Sequence, residues 1–127
     1  MLLKKSTPSL DVLIVDDEID ICFLLGNVLN KRLNANISCA NTITSATSEM
    51  ILHQPSIVFL DNHLPDGSGM SFLKHLKEFY PDTKVVMITA YDTSNDRNMA
   101  MEIGADAFIA KPFTKALINK TVDALTN

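Results

Sequence analysis

Five short apolar runs alternate along the chain with five segments in which apolar residues recur at helical spacing. The runs cover residues 12–15, 37–40, 57–61, 84–88 and 107–110. Short apolar runs bounded by turn residues are typical of strands buried on both faces, and such strands belong to parallel sheets. Alternation with helices predicts right-handed crossovers that cover both faces of the sheet. We therefore expect an α/β fold, a doubly wound three-layer sandwich, with the 37–40 strand at an edge.

The ends of the helical segments carry recognisable stop and start signals. Acids precede the 19–33 helix and two basic residues end it, which suits the helix dipole. Asn41 or Thr42 is expected to cap the second helix, Ser94 the fourth and Thr114 the fifth, and Gly104 is expected to close the fourth. The last helix is predicted to bury Leu117 together with three further apolar side chains, Ile118, Val122 and Leu125.

The length of 127 residues fits one domain, which we expect at 11–127 after a polar lead-in at 1–10. A hydrophobic fraction of 46% with 20% charged residues indicates a packed core rather than disorder. The net charge of −4 and the lack of a long basic run argue against a nucleic-acid surface. No signal peptide or membrane-length apolar run is present, which favours a cytoplasmic location.

The two cysteines, Cys22 and Cys39, lie within apolar periodic segments. They are interpreted as plain buried thiols, with a disulfide or redox pair as the less favoured alternative. The three histidines show no metal-ligand spacing.

Polar side chains follow four of the five predicted strands. Asp16 and Asp17 come after the first strand, Asp61 ends the third, Thr89 the fourth, and Lys111 follows the fifth. The carboxyl ends of parallel strands meet at one edge, where open α/β folds bind their ligands. Taken singly, each residue could be a turn former, a helix-terminal acid or a surface lysine. Together they predict one crevice.

Three carboxylates in one crevice repel each other unless a cation is bound. Mg²⁺, held by few carboxylates and by substrate phosphate, suits an open crevice of this kind. Lys111 supplies a point charge, and Thr89 supplies a hydroxyl donor for anionic oxygens. This combination predicts a phosphoryl-transfer site with a carboxylate nucleophile.

The same residues carry a family resemblance. The chain contains IVDDE at 14–18, VFLD at 58–61 followed by LPDGSG, MITA at 87–90 and KPF at 111–113. These motifs resemble the receiver domain of two-component response regulators, from residue 11 to about 125. The resemblance implies a flavodoxin-like (βα)5 fold with strand order 2-1-3-4-5.

The resemblance also implies a role for each motif residue. Asp61 would accept a phosphoryl group from a kinase phosphohistidine. Asp17 would bind Mg²⁺ directly and Asp16 largely through water, with Asp61 and the backbone carbonyl of His63 as further ligands. Thr89 and Lys111 would each contact a phosphoryl oxygen. The Lys111–Pro112 peptide bond would be cis.

Three further positions are compared with the family pattern. Phe108 matches the switch aromatic, which would act with Thr89, but it lacks the hydroxyl of a tyrosine. His63 and Tyr91 stand two residues beyond Asp61 and Thr89, where the family tunes the lifetime of the phosphorylated state. Ala107 replaces an acid that receivers joined to winged-helix DNA-binding domains often carry.

The leading hypothesis is a phosphorylation-dependent signalling switch that is not an enzyme in its own right. Its expected partners are a sensor histidine kinase or phosphotransfer protein, a downstream effector, and a second copy if phosphorylation drives dimerisation. Its output surface would be the fourth helix, fifth strand and fifth helix. The alternatives are a Mg²⁺-dependent phosphatase of the haloacid-dehalogenase type, with Asp16 as nucleophile and Glu18 as second acid, and an unphosphorylated partner-binding module. Dinucleotide binding is unsupported because no Gly-rich turn follows the first strand.

Overall fold

The computed structural model describes residues 10–90 and 93–126. Within those residues a five-stranded sheet alternates with five helices. The strands of the sheet are β1 (Leu10–Val15), β2 (Ala35–Ala40), β3 (Ile57–Leu60), β4 (Lys84–Thr89) and β5 (Ala107–Ala110). The helices are α1 (Ile19–Arg32), α2 (Ile43–His53), α3 (Gly69–Phe79), α4 (Ser94–Ile103) and α5 (Lys115–Thr126).

All neighbouring strands of the sheet are parallel, in the order β2-β1-β3-β4-β5. This order confirms the predicted doubly wound fold and the edge position of β2. The central pair aligns Val15 with Leu60, so β1 and β3 end side by side. In the loop after β3, a short antiparallel ladder pairs His63–Leu64 with Gly67–Ser68.

Alternate strand residues face the two helical layers, as the pleat of a strand requires. On one face, Leu13, Val58 and Met87 pack with side chains from α2, α3 and α4. On the other face, Ile14 and Phe59 pack with side chains from α1 and α5. Each large apolar side chain that is fully buried contributes about 1.5–3 kcal/mol relative to exposure. These two layers hold the strand ends, and therefore the polar residues that follow them, in fixed positions.

Several local expectations need correction. The fourth helix is capped by Thr93 and not by Ser94, because the Thr93 side chain accepts a hydrogen bond from the Asp96 amide. Leu117 is exposed because the buried stripe of α5 runs through Ile118 and Val122, four residues apart and rotated away from Leu117. β2 begins two residues earlier than predicted.

Other expectations at the helix ends hold. Thr42 accepts a hydrogen bond from the Ser45 amide at the start of α2. Thr114 accepts one from the Leu117 amide at the start of α5. Gly104, with φ of 124°, ends α4. The lead-in at residues 1–9 lies outside the described residues, and Leu10 already belongs to β1. Among the described residues, no helix is both long enough and apolar enough to cross a membrane.

The cysteines are correctly expected to lie in helix and strand, but only one of them is buried. Cys22 on α1 is 7% exposed, whereas Cys39 on β2 is exposed. Within residues 10–90 and 93–126 no strand pairs with the outer side of β2, so its side chains are covered less completely than those of the central strands. The prediction of two buried thiols is therefore wrong for Cys39.

Candidate functional site

Asp16 and Asp61 lie side by side because β1 and β3 are neighbours in the sheet. Each backbone continues the sheet by one residue: the Asp61 amide donates to the Val15 carbonyl at 2.9 Å, and the Asp16 amide to the Ala40 carbonyl at 3.0 Å. Asp16 is fully buried and Asp61 is 5% exposed. The two carboxylates are therefore fixed by the sheet and largely withdrawn from water.

Four acids form a single cluster at this edge. One carboxylate oxygen from each of Asp16, Asp17, Glu18 and Asp61 lies within 4.8 Å of the others. Glu18 was expected at the start of the helix and, in the phosphatase alternative, as a second acid, but it was not predicted as a member of this cluster. It is the N-cap residue of α1, yet its side chain caps nothing. The sequence feature that could have indicated this role is the run of three acids, Asp16 to Glu18, immediately before the first helical residue.

Lys111 bridges the cluster from the end of β5. Its Nζ lies 2.7 Å from Asp16 Oδ2, 2.8 Å from Glu18 Oε1 and 3.7 Å from Asp61 Oδ2. The side chain is only 8% exposed. Burial opposes its charge, but the hydrogen bonds and charges of the surrounding acids together raise the pKa of Lys111. The lysine is therefore held as a cation. The Lys111–Pro112 bond is cis, as expected.

One ammonium does not balance four carboxylates. Burial raises the pKa of Asp16, although Lys111 and the Glu18 amide partly offset it. Burial and the neighbouring Asp16 charge raise the pKa of Asp61, against the effect of Lys111. Raised pKa values show that both ionised acids lack sufficient compensation. Because the donors are all hard oxygens, the cluster fits a divalent cation such as Mg²⁺.

The cluster opens into a crevice of about 230 Å³ lined by Asp17, Glu18, Asp61, His63, Ala90 and Lys111. His63 is exposed and is one of these lining residues. The use of its carbonyl as a metal ligand remains a prediction. Tyr91, the other residue expected to tune the phosphorylated state, lies outside the described residues.

Thr89 ends β4 beside the crevice and is 1% exposed. Its carbonyl accepts the Lys111 amide at 2.8 Å, so the two proposed phosphoryl contacts are linked through the backbone. Phe108 pairs with Met87 on β4 and is 9% exposed, within the core on the α2–α4 face. As the expected switch aromatic, Phe108 would turn toward the core when Asp61 is phosphorylated, but in this structure its ring is already buried there.

A protein-family comparison decides what kind of site this is. The model of the response regulator receiver domain matches residues 12–123. The chain belongs to the response regulator receiver family.

Known receivers and their longer relatives resemble the chain in sequence and structure. The Escherichia coli K12 phosphate regulon regulator PhoB is 37% identical over 105 residues, covering 81% of this chain but 45% of PhoB. A CheY-like receiver from Methanospirillum hungatei has a TM-score of 0.83 at 26% identity, covering 94% of each chain. The BeF3-activated DrrB receiver domain has a TM-score of 0.84 at 24% identity, covering 91% of this chain and 96% of that one. This last likeness concerns the fold alone.

The receiver's loop after Asp61 is held by contacts that the sequence did not reveal. Gly69 approaches Asp61 so closely that a Cβ would lie 2.1 Å from the Asp61 carbonyl oxygen. The Gly69 amide donates to the Asn62 carbonyl at 2.8 Å, and the Met70 amide donates to Asn62 Oδ1 at 2.9 Å. The LPDGSG segment indicated a turn, but nothing in it assigned these partners.

Asp66, in the same loop, caps a different helix. Its carboxylate accepts from the Ile43 amide at 2.8 Å, the Thr44 amide at 3.0 Å and Thr44 Oγ1 at 2.9 Å. Those backbone hydrogen bonds lower the pKa of Asp66. The loop that follows Asp61 is therefore fastened to the start of α2.

The receiver's Phe108 also has a partner that was not predicted. The Arg97 guanidinium lies over the ring, 4.7 Å from its centroid, and Arg97 Nη1 donates to the Phe108 carbonyl at 3.3 Å. A cation stacked on an aromatic face contributes about 0.5–1 kcal/mol at an exposed site. Arg97 therefore covers the buried ring from the α4 side.

Proposed function

We propose that this receiver is a phosphorylation-operated signalling switch whose acceptor is Asp61. The observation that carries the proposal is the environment of Asp61. Its carboxylate is buried at the carboxyl end of β3, belongs to the acidic cluster and lies 3.7 Å from Lys111 Nζ. The donor would be the phosphohistidine of a sensor histidine kinase or phosphotransfer protein. Because the chain spans 45% of PhoB and 22% of another relative, Pseudomonas aeruginosa PilR, the output of a longer protein is also part of the proposal.

The transfer forms one bond and breaks one. An Asp61 carboxylate oxygen attacks the phosphorus, the phosphorus–nitrogen bond breaks, and the departing imidazole keeps the electron pair and takes up a proton. Mg²⁺, held by Asp16, Asp17 and Asp61, would neutralise charge on the phosphoryl oxygens. The Lys111 ammonium would then move from the acids to one phosphoryl oxygen, and the Thr89 hydroxyl would donate to another.

The signal would leave through Thr89 and Phe108. A phosphoryl group adds about two negative charges at neutral pH and would draw the Thr89 hydroxyl toward the crevice. The space beside Phe108 would then be filled by the ring, and the surface of α4, β5 and α5 would change. Since Phe108 is buried in this structure, phosphorylation would fix this position rather than create it. A downstream effector, or a second copy of the chain, would read that surface.

The environment of Asp16 argues against the phosphatase alternative. It requires Asp16 as the nucleophile, but Asp16 is fully buried, accepts the Glu18 amide at 2.9 Å and is paired with Lys111. Asp61 borders the crevice and is the more accessible of the two acids. We therefore retain only the acceptor role of Asp61.

Phosphorylation by acetyl phosphate tests the proposal directly. With excess Mg²⁺, intact mass should show one added phosphoryl group, and chelation should abolish it. Asp61→Asn should not be modified. Asp82→Asn is the matched control, because Asp82 is exposed and precedes β4, at the amino-terminal ends of the strands and away from the site. Equal modification of Asp61→Asn and wild type would refute the site, as would indifference to chelation.

A further inference from the structure

The two cysteines, Cys22 on α1 and Cys39 on β2, lie outside the crevice and face each other between these two elements. A helix repeats its face after four residues and a strand after two, so Cys22 shares a face with Gly26, and Cys39 with Ile37. A Cβ at Gly26 would lie 3.7 Å from Ile37 Cγ2, so the helix and the strand are in contact there. Four helical residues rise about 6 Å and two strand residues about 6.6 Å. Because α1 runs opposite to β2, the next contact along is Cys22 against Cys39.

The two thiols are close enough to perturb each other's pKa. A hydrogen bond from Cys22 lowers the pKa of the Cys39 thiol, against the effects of burial and of the Asp16 charge. The same bond and burial raise the pKa of Cys22, with smaller effects from Cys39 and Asp16 in the same direction and from Lys111 against it. Cys39 is therefore the better nucleophile of the pair, and Cys22 keeps its proton.

Access to the pair is also unequal. Both cysteines line a groove of about 480 Å³ between α1 and β2, the α1–β2 groove, whose other walls include Ile19, Phe23 and Asn27. Cys39 is exposed to this groove, whereas Cys22 lies 7% exposed at its base. An accessible nucleophilic thiol beside a buried one is the arrangement of an attacking and a resolving cysteine.

We propose that Cys22 and Cys39 form a reversible disulfide when a hydroperoxide enters the α1–β2 groove. The Cys39 thiolate attacks a peroxide oxygen, the oxygen–oxygen bond breaks, and hydroxide leaves from hydrogen peroxide. The Cys22 sulfur then attacks the resulting sulfenic acid, the sulfur–oxygen bond breaks, and water leaves with the Cys22 proton. Two thiols are oxidised by two electrons, and one peroxide is reduced to two waters.

The crosslink would join two segments that position the acidic cluster. The Cys22 amide donates to the Glu18 carbonyl at 3.3 Å, and Ala40, next to Cys39, accepts the Asp16 amide at 3.0 Å. The bond itself does not require Asp61. Asp61→Asn should therefore form it as readily as wild type, which separates this proposal from the phosphorylation proposal.

The test exposes reduced protein to hydrogen peroxide and measures intact mass under non-reducing conditions. Wild type should lose two hydrogen atoms, resist maleimide labelling at both cysteines, and regain both after treatment with dithiothreitol. Cys22→Ser should instead keep one added oxygen on Cys39. Cys22→Ala, compared by thermal unfolding, shows whether loss of the buried thiol has changed the fold.

The matched control moves one thiol to the other face of β2. The double variant Cys39→Ser, Ser38→Cys keeps two thiols in the chain but turns one away from α1, since neighbouring strand residues face opposite ways. It should not form the intramolecular bond. Three results would overturn the proposal: stepwise overoxidation of Cys39 without loss of hydrogen, a crosslinked dimer in place of the internal bond, or equal bond formation in the double variant.

Discussion

Lys111 Nζ lies 2.7 Å from Asp16 Oδ2 and 3.7 Å from Asp61 Oδ2. Lys111 is thus paired with Asp16, which is fully buried, and lies farther from Asp61, the proposed acceptor. Removal of the lysine would leave a buried carboxylate without its partner, a situation that is strongly destabilising in protein interiors.

We expect Lys111→Ala to lower the free energy of unfolding by about 2 kcal/mol at neutral pH without divalent cations. Excess Mg²⁺ should restore part of this loss because the cation replaces the missing positive charge. Urea unfolding in chelator and in Mg²⁺ measures both effects. Lys115→Ala, which alters an exposed lysine at the start of α5, is the control. An undiminished stability in chelator would contradict the anchoring role.

Asp61→Asn should raise the free energy of unfolding at neutral pH in chelator by about 1–3 kcal/mol, because it removes a poorly compensated buried charge. The folded-state pKa of Asp61 is raised above its ordinary value of 3.8. Folded wild type therefore binds protons more readily than unfolded wild type as the pH falls toward that raised value. Its stability rises in that window, and the advantage of the variant should shrink. Urea titrations at neutral and mildly acidic pH decide this, with Asp82→Asn as the charge-matched control.

The Asp66 cap should give the opposite pH dependence. The hydrogen bonds from Ile43 and Thr44 lower the folded-state pKa of Asp66, so its stabilisation is present above the ordinary value of 3.8 and is lost as the pH falls through the lower, folded-state pKa. Asp66→Ala should lower the melting temperature by a few degrees at neutral pH, and less in strong acid. Thermal unfolding followed by circular dichroism measures both. A pH-independent difference from wild type would show that the ionised Asp66 carboxylate does not stabilise the start of α2.

Thr89→Ala should separate phosphorylation from signal output. The variant should still accept phosphate at Asp61, because Thr89 is proposed to contact the product rather than perform the attack. NMR spectra with beryllofluoride should then lack the wild-type shifts around Ala100 and Phe108. Thr83→Ala, which alters a buried threonine before β4, is the control and should keep them. Full shifts in Thr89→Ala would eliminate Thr89 as the switch.

We propose that Tyr91 shields the phosphorylated Asp61 from water, whereas the His63 imidazole would orient a water for attack. Tyr91→Ala should speed loss of phosphate by about tenfold, equivalent to about 1.4 kcal/mol of barrier. Tyr91→Phe keeps the ring and should leave the rate near that of wild type. Phosphate release with Mg²⁺ in excess gives the rates. If the alanine variant is as slow as wild type, the shielding role is wrong.

The position of the site was predictable because it depends on backbone direction. Residues that follow parallel strands share an edge, so Asp16, Asp61 and Lys111 could be grouped without coordinates. Their pairing could not, because side-chain directions are not contained in strand periodicity. The contact between Glu18 and Lys111 was therefore not predicted, because an acid at that position is equally well explained as a helix-terminal residue.

Tertiary contacts account for most of the other differences. Thr93 and Ser94 are both suitable caps by residue type, and only the helical start at Ser94 decides between them. The buried ring of Phe108 is covered by Arg97, which is eleven residues away in the sequence. Asp66 caps a helix more than twenty residues earlier in the chain, a partnership that no local pattern indicates.

The contact between Gly69 and the Asp61 carbonyl fixes the position at which α3 begins. The helix begins directly against the backbone of Asp61 and extends for 11 residues, about 16 Å at the usual helical rise. At its far end the ring of His75 lies 4.9 Å from that of Phe79. Because there is no room for a side chain at Gly69, a displacement of the Asp61 carbonyl would have to move the start of α3, and with it the exposed Phe79 ring at the other end of the helix.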